Sequence, residues 1–113
     1  MSCVFCKIVS GEINAEIVHS DDDCIAFRDL NPQALVHILV IPRKHIDSMN
    51  TMKDSESPLL GKMGLVARNL AREEGVDDEG YRLVLNCNAA AGQTVFHVHM
   101  HLLGGREFRW PPG

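Results

Sequence analysis

His97-Val98-His99-Met100-His101-Leu102-Leu103 sets three imidazoles at strict intervals of two among apolar residues. Side chains two apart on a strand share a face, about 6 to 7 Å between neighbours. The spacing therefore predicts a strand over Val95 to Leu103, ended by Gly104-Gly105. His97, His99 and His101 would share one face, with Val98, Met100 and Leu102 turned into the core. Three of the six histidines fall within five residues, which a solvent-facing strand does not account for. Two chemistries compete. The row could hold a catalytic metal, since imidazole suits zinc and iron. Alternatively, one histidine is a nucleophile whose neighbours orient it and manage protons. A cupin-like metal site adds a glutamate a few residues after its second histidine. Leu102, Leu103 and Gly104 stand there instead, which disfavours that reading.

Working outward, Leu35 to Ile41 is apolar apart from His37, and Pro42 stops it. Such a run suits a strand buried on both faces. A histidine there needs a hydrogen-bond partner, and a triad imidazole would serve, fixing one tautomer. Glu16 to His19 and Cys24 to Asp29 read as a hairpin around the polar turn Ser20-Asp21-Asp22-Asp23. Tyr81 to Cys87 alternates well enough for a further strand. Residues 3 to 9 fit one or two helical turns closed by Ser10-Gly11. Ser57 as N-cap and Pro58 at the first helical position open a longer helix. Leu59, Met63, Val66 and Leu70 recur along it at helical spacing, and Gly75 closes it. Gly61 and Gly64 weaken it slightly but would let another backbone approach. Residues 46 to 56 are polar and show no clear period. The order predicts a single α+β domain over residues 1–113: a five-stranded antiparallel sheet with one long and one short helix. Asn88 to Thr94, with Gly92 and Gln93, forms a loop of small residues just before the histidine row. Its backbone N–H groups could cradle an anion.

The net charge of −4 argues against binding a nucleic-acid polymer, which needs concentrated Lys and Arg; a mononucleotide needs only a local site. No segment approaches the ~18 apolar residues of a membrane span. Met-Ser-Cys-Val-Phe-Cys-Lys lacks the pattern of a secretory signal, so a cytoplasmic protein with reduced cysteines is expected. Cys3-Val4-Phe5-Cys6 remains open among a zinc half-site, a redox pair and two packed thiols. Cys24 and Cys87 read as small core residues, and His19 as an exposed strand residue without a role.

The chain resembles the histidine-triad family over almost its whole length. The alternating motif of residues 97–103 carries the resemblance. Gly104-Gly105-Arg106, Trp110-Pro111-Pro112-Gly113, Asp29-Leu30-Asn31-Pro32-Gln33-Ala34 and Val40-Ile41-Pro42-Arg43-Lys44-His45 are similar to its nucleotide-binding (Hint) branch. The resemblance implies a homodimer whose sheet continues across the subunits. It also implies hydrolysis of purine nucleoside 5'-phosphoramidates such as AMP-amine conjugates. By motif position, His99 would be the nucleophile that forms a nucleotidyl-histidine. His101 would contact the phosphate and help the amine depart, and His37 would be the relay histidine. Asn86, Gly92, Gln93 and Thr94 would hold the phosphate region, and Asp29 the ribose hydroxyls. Phe5, Ile8, Phe27 and Leu30 would line the base pocket, and Trp110 would reach the partner's site. Relatives that bind structural zinc do so through positions matching Cys3, Cys6, His45 and His97, a closed Cys2His2 set. The chemistry itself would need no cofactor. Many relatives carry serine where Thr94 stands, so the hydroxyl is kept.

Two rival functions stand beside this. One is a dinucleoside polyphosphate hydrolase or nucleotidylyl transferase of the same fold, disfavoured by Gly104-Gly105 and Trp110-Pro111-Pro112. The other is a nucleotide-binding adaptor, since a retained site does not define a role.

Overall fold

Alternation along five short segments sorts their side chains onto two faces of one antiparallel sheet. The computed structural model describes residues 3–113. Its strands are β1 (Ile17–Ser20), β2 (Cys24–Arg28), β3 (Val36–Pro42), β4 (Tyr81–Val84) and β5 (Met100–Gly104), in the order β1-β2-β3-β5-β4. Every neighbouring pair is antiparallel. Central β3 is buried along its whole length, as its continuous apolar run requires. The fold is that of the α+β class expected.

On one face Cys24, Ala26, Ile38, Val40 and Leu102 pack against Met63, Val66, Ala67 and Leu70 of the long helix α2 (Ser57–Glu73). On the other, Ile25, Phe27, Leu39 and Ile41 meet Phe5 and Ile8 of the short helix α1 (Val4–Ser10). The helix on the second face covers only part of it. That leaves room for the histidines: Leu39 pairs with His101 and His37 with Leu103, so His37 and His101 are diagonal neighbours on one face.

Helix ends follow the local chemistry. A 3-10 turn, Asp54–Glu56, leads into α2, which starts at Ser57 itself with Glu56 as its cap. Gly75, at φ +74°, ends it: its N–H donates to the Arg72 carbonyl while that of Val76 reaches Ala71. Val76 then packs on Gly104, where a Cβ would lie 2.8 Å from its side chain.

The last two strands are shorter than the sequence predicts. β5 begins at Met100 rather than Val95, so His97 and His99 precede it and only His101 is a strand residue. Pro42 has no N–H to offer a longer ladder, and its carbonyl accepts from His97 Nε2 at 2.8 Å. The backbone of 93–99 bonds to loops instead: Val98 N–H donates to Ile46 at 2.7 Å and Gln93 N–H to Asn88 at 3.1 Å. With β5 starting late, β4 stops at Val84 rather than Cys87, and Cys87 is half-buried instead of a core residue. Among the described residues no helix is long and apolar enough to cross a membrane.

Candidate functional site

The histidine row divides between two sites. His97 turns toward the N-terminal thiols, whereas His99 and His101 stay together with ring centroids 5.0 Å apart. The uniform row expected for one strand is therefore corrected: the bend at His97 aims its ring elsewhere.

Cys3 caps α1 and Cys6 sits one turn along it, which brings both sulfurs to the same end of the helix. Cys3 Sγ, Cys6 Sγ, His45 and His97 offer four ligand atoms within 4.8 Å of one another. His97 Nδ1 lies 3.6 Å from each sulfur, and His45 Nδ1 lies 3.2 Å from Cys6. Each ring donates its other N–H away from the thiols, His97 to the Pro42 carbonyl and His45 to Asp47 Oδ1 at 2.7 Å. Both Nδ1 lone pairs therefore face the sulfurs, the outer-shell arrangement that orients metal-bound histidine. Two thiols and two such imidazoles form a closed set with the chemistry Zn²⁺ prefers. Asp47 was not singled out from sequence, although its place two residues after His45 was available as a signal.

The second site is a chain of imidazoles whose tautomers are fixed by the backbone. Gln33 N–H donates to His37 Nδ1 at 3.0 Å, so Nε2 carries the His37 proton. That proton points at His101 Nδ1, 2.9 Å away, with Asp29 Oδ2 at 3.4 Å. His101 in turn keeps its own proton on Nε2. His99 Nδ1–H donates to the His97 carbonyl at 2.9 Å, leaving a lone pair on His99 Nε2. Phe5 sets its ring edge-to-face against His99, centroids 5.1 Å apart, and limits its rotation. Burial pushes His101 down to about 4; His99 and His37 add to this and Asp29 opposes it. Burial lowers His37 as well, again opposed by Asp29.

His99 and His101 open onto a cleft of about 300 Å³, lined also by Phe5, Ile8, Phe27, Leu39, Asp29, Leu30 and Thr94. An apolar floor with a few convergent polar groups is the usual make-up of a small-ligand site. A larger recess, about 950 Å³, lies between Gly75–Arg82 and Gly105–Arg109 and contains no histidine or cysteine. Chemistry therefore favours the smaller cleft.

A family model described as "Scavenger mRNA decapping enzyme C-term binding" matches residues 2–107. An uncharacterised HIT-like protein of Synechocystis sp. is 49% identical over 97% of this chain and 96% of its own. The crystal structure of a HIT family hydrolase from Legionella pneumophila superposes with a TM-score of 0.97 at 51% identity, covering 99% of this chain and 100% of that one. A histidine triad nucleotide-binding protein from Candida albicans superposes at 0.82 with 30% identity, over 99% and 85% of the two chains. The chain belongs to the histidine-triad family.

Several expected site residues of this histidine-triad protein lie outside the cleft, and one that lines it is exposed. Gln93, only 3% exposed, is turned inward: its Nε2 donates to the carbonyls of Asp47 and Val95, and its Oε1 accepts from Asn88 N–H. Its amide thus shapes the loop rather than facing outward. Asn86 lies behind that loop, its amide 4.0 Å from where a Gly92 Cβ would sit. Leu30 lines the cleft but is almost fully exposed. Trp110 is exposed on the tail, which Arg82 anchors by donating to the Arg109 carbonyl and stacking on Phe108. Ile13, Asn14 and Leu39, not singled out from sequence, also line the cleft.

Two outcomes are expected. Zinc held by the thiol–imidazole set should copurify at about one ion per chain. Cys3→Ala with Cys6→Ala should abolish it and lower the melting temperature, read by metal analysis and calorimetry; unchanged values would dismiss the site. Separately, His101 binds its proton less readily folded than unfolded, where about 6.5 is normal. Its contribution to stability is therefore present above about 6.5 and lost as pH falls toward 4. His101→Gln should shrink the fall in urea midpoint between pH 7.5 and 5, and an unchanged fall would contradict this.

Proposed function

We propose that the protein hydrolyses purine nucleoside 5'-phosphoramidates, releasing the nucleotide and an amine through a nucleotidyl-His99 intermediate. The observation that carries this reading is the free lone pair on His99 Nε2, fixed by the bond from Nδ1–H to the His97 carbonyl. The nucleotide-binding and hydrolase names of its relatives support it.

The base would rest among Phe5, Ile8, Phe27 and Leu30, and the ribose hydroxyls would meet Asp29. Asp29 Oδ1 already accepts from Asn31 N–H at 2.8 Å, which holds the carboxylate in place. With the nitrogen first protonated, from solvent or by a His101 that has itself gained a proton beside the anion, His99 Nε2 attacks phosphorus, the P–N bond breaks and the neutral amine leaves. Water then attacks phosphorus, the P–Nε2 bond breaks and the nucleotide leaves. His101 Nε2–H donates a hydrogen bond to the phosphate or to the departing nitrogen, and the loop over Asn88 to Thr94, with Asn86 near its Gly92, frames the phosphate. A Zn²⁺ ion bound by Cys3, Cys6, His45 and His97 would tie α1 to the sheet, with no part in bond making.

The same attack would serve a phosphoanhydride, and the decapping-enzyme description of the family model favours that second reading. Turnover of AMP-amine conjugates against diadenosine polyphosphates separates them.

We also propose a two-fold homodimer joined along β4. It is an edge strand with Leu83 exposed, and Leu65 of α2 is exposed as well. Trp110 would then serve the partner's cleft.

His99→Ala should lower kcat about 10⁴-fold or more with AMP affinity largely kept, whereas Asp29→Ala should mainly raise KM. Rapid acid quenching of labelled substrate should trap nucleotide on the protein. Absence of the adduct together with inversion at phosphorus would replace the mechanism with a single displacement by water. Light scattering at micromolar concentration should give twice the chain mass of 12.5 kDa, and a monomer mass would refute the dimer.

A further inference from the structure

In the proposed reaction the phosphorus carries two groups to be housed, the nucleoside and the amine. The first cleft matches the nucleoside. A second groove of about 460 Å³ adjoins it, and Val4, Thr94 and Val95 line both. Thr94 borders both recesses while His99 and His101 line only the first, so a substrate whose phosphorus meets His99 and which continues past Thr94 enters this groove. Only the amine remains to do so.

The groove runs beside Cys3 and His45 of the thiol–imidazole set, and its remaining walls combine apolar side chains with one carboxylate. Phe96 leaves 45% of its surface uncovered and Val4 leaves 41%, so an apolar arm would find partners there. Asp47 adds a carboxylate that is 58% exposed, even though its Oδ1 accepts from His45. The relative position of the walls is set in advance. Buried Gln93 donates to the Asp47 carbonyl at 2.8 Å and to the Val95 carbonyl at 3.2 Å, tying the two sides with one amide. A preformed groove costs little ordering on binding.

We propose that this groove is the leaving-group subsite and that it selects amines with an apolar arm and no carboxylate. The inference rests on the phosphoramidase reading above. Phe96 and Val4 take up the arm. Asp47 favours the departing ammonium and repels an anion.

AMP conjugates of ammonia, 2-phenylethylamine and phenylalanine test this, since they differ only in arm and charge. Phe96→Ala should lower kcat/KM for the phenylethylamine conjugate about tenfold and leave the ammonia conjugate within about twofold. Asp47→Asn keeps an oxygen for His45 and should raise the phenylalanine conjugate about fivefold relative to the phenylethylamine one. Equal effects of Phe96→Ala on both amines, or none, would overturn the subsite, as would an unchanged ratio in Asp47→Asn. Failure of the unmodified protein on every conjugate would instead remove the phosphoramidase reading, and the subsite with it.

Discussion

His97 is the residue on which the site depends, because each of its polar groups fixes a different neighbour. Its Nε2–H holds the Pro42 carbonyl, which joins the residue to the end of β3. Its Nδ1 faces the thiols of α1. Its carbonyl takes the proton of His99 Nδ1 and so decides which His99 nitrogen is nucleophilic. With no exposed surface, the residue has water at none of these positions. Breaking one bond would leave a buried group unpaired, which costs more than the bond itself contributes. The chain therefore keeps all three or rearranges locally.

That arrangement couples the two sites through α1. Cys3 and Cys6 face the imidazoles while Phe5, between them in sequence, covers His99 and lines the cleft. A seven-residue helix is too short to be stable alone. Its position comes from packing of Phe5 and Ile8 on Phe27 and Leu39, and from whatever holds the cysteines. A structural ion at the thiols would thus act on the cleft through geometry, without touching the reacting atoms.

Most of the sheet and both helices were legible because alternation and helical spacing report burial directly. The β3 run and the Leu59–Leu70 spacing are local signals, and the structure follows them. The split of the histidine row was not legible. Period two in sequence fits a strand, but the fate of His97 is decided by Pro42 and by the thiols, both remote in sequence. Gln93 likewise looked available, being polar beside small residues, and only the fold shows Asp47 and Val95 claiming its amide. Long-range hydrogen bonds leave no periodic trace, so the residues that position the chemistry were harder to assign than those that fill the core. His37 is the exception: a lone histidine in a buried run needs a partner, the triad imidazoles are the candidates the sequence offers, and His101 is the one that meets it.

The tautomer chain also constrains where protons come from. With Nδ1 accepting from Gln33, His37 presents Nε2–H to His101. Protonating His101 on both nitrogens would bring Nδ1–H against that same hydrogen. To relieve the clash His37 would have to turn Nε2 into an acceptor, and its Nδ1–H would then oppose the Gln33 N–H. The network therefore resists an imidazolium at His101, in agreement with the downward shift that burial causes there. A neutral His101 can donate a hydrogen bond through Nε2, but giving up that proton outright would leave an imidazolate. Under the proposed chemistry the amine must then carry its proton before the P–N bond breaks, either from solvent or after the anionic substrate has raised the affinity of His101 for a proton. The second route ties proton delivery to the bound anion, because His101, which burial keeps neutral, gains its proton only once the anion lies beside it.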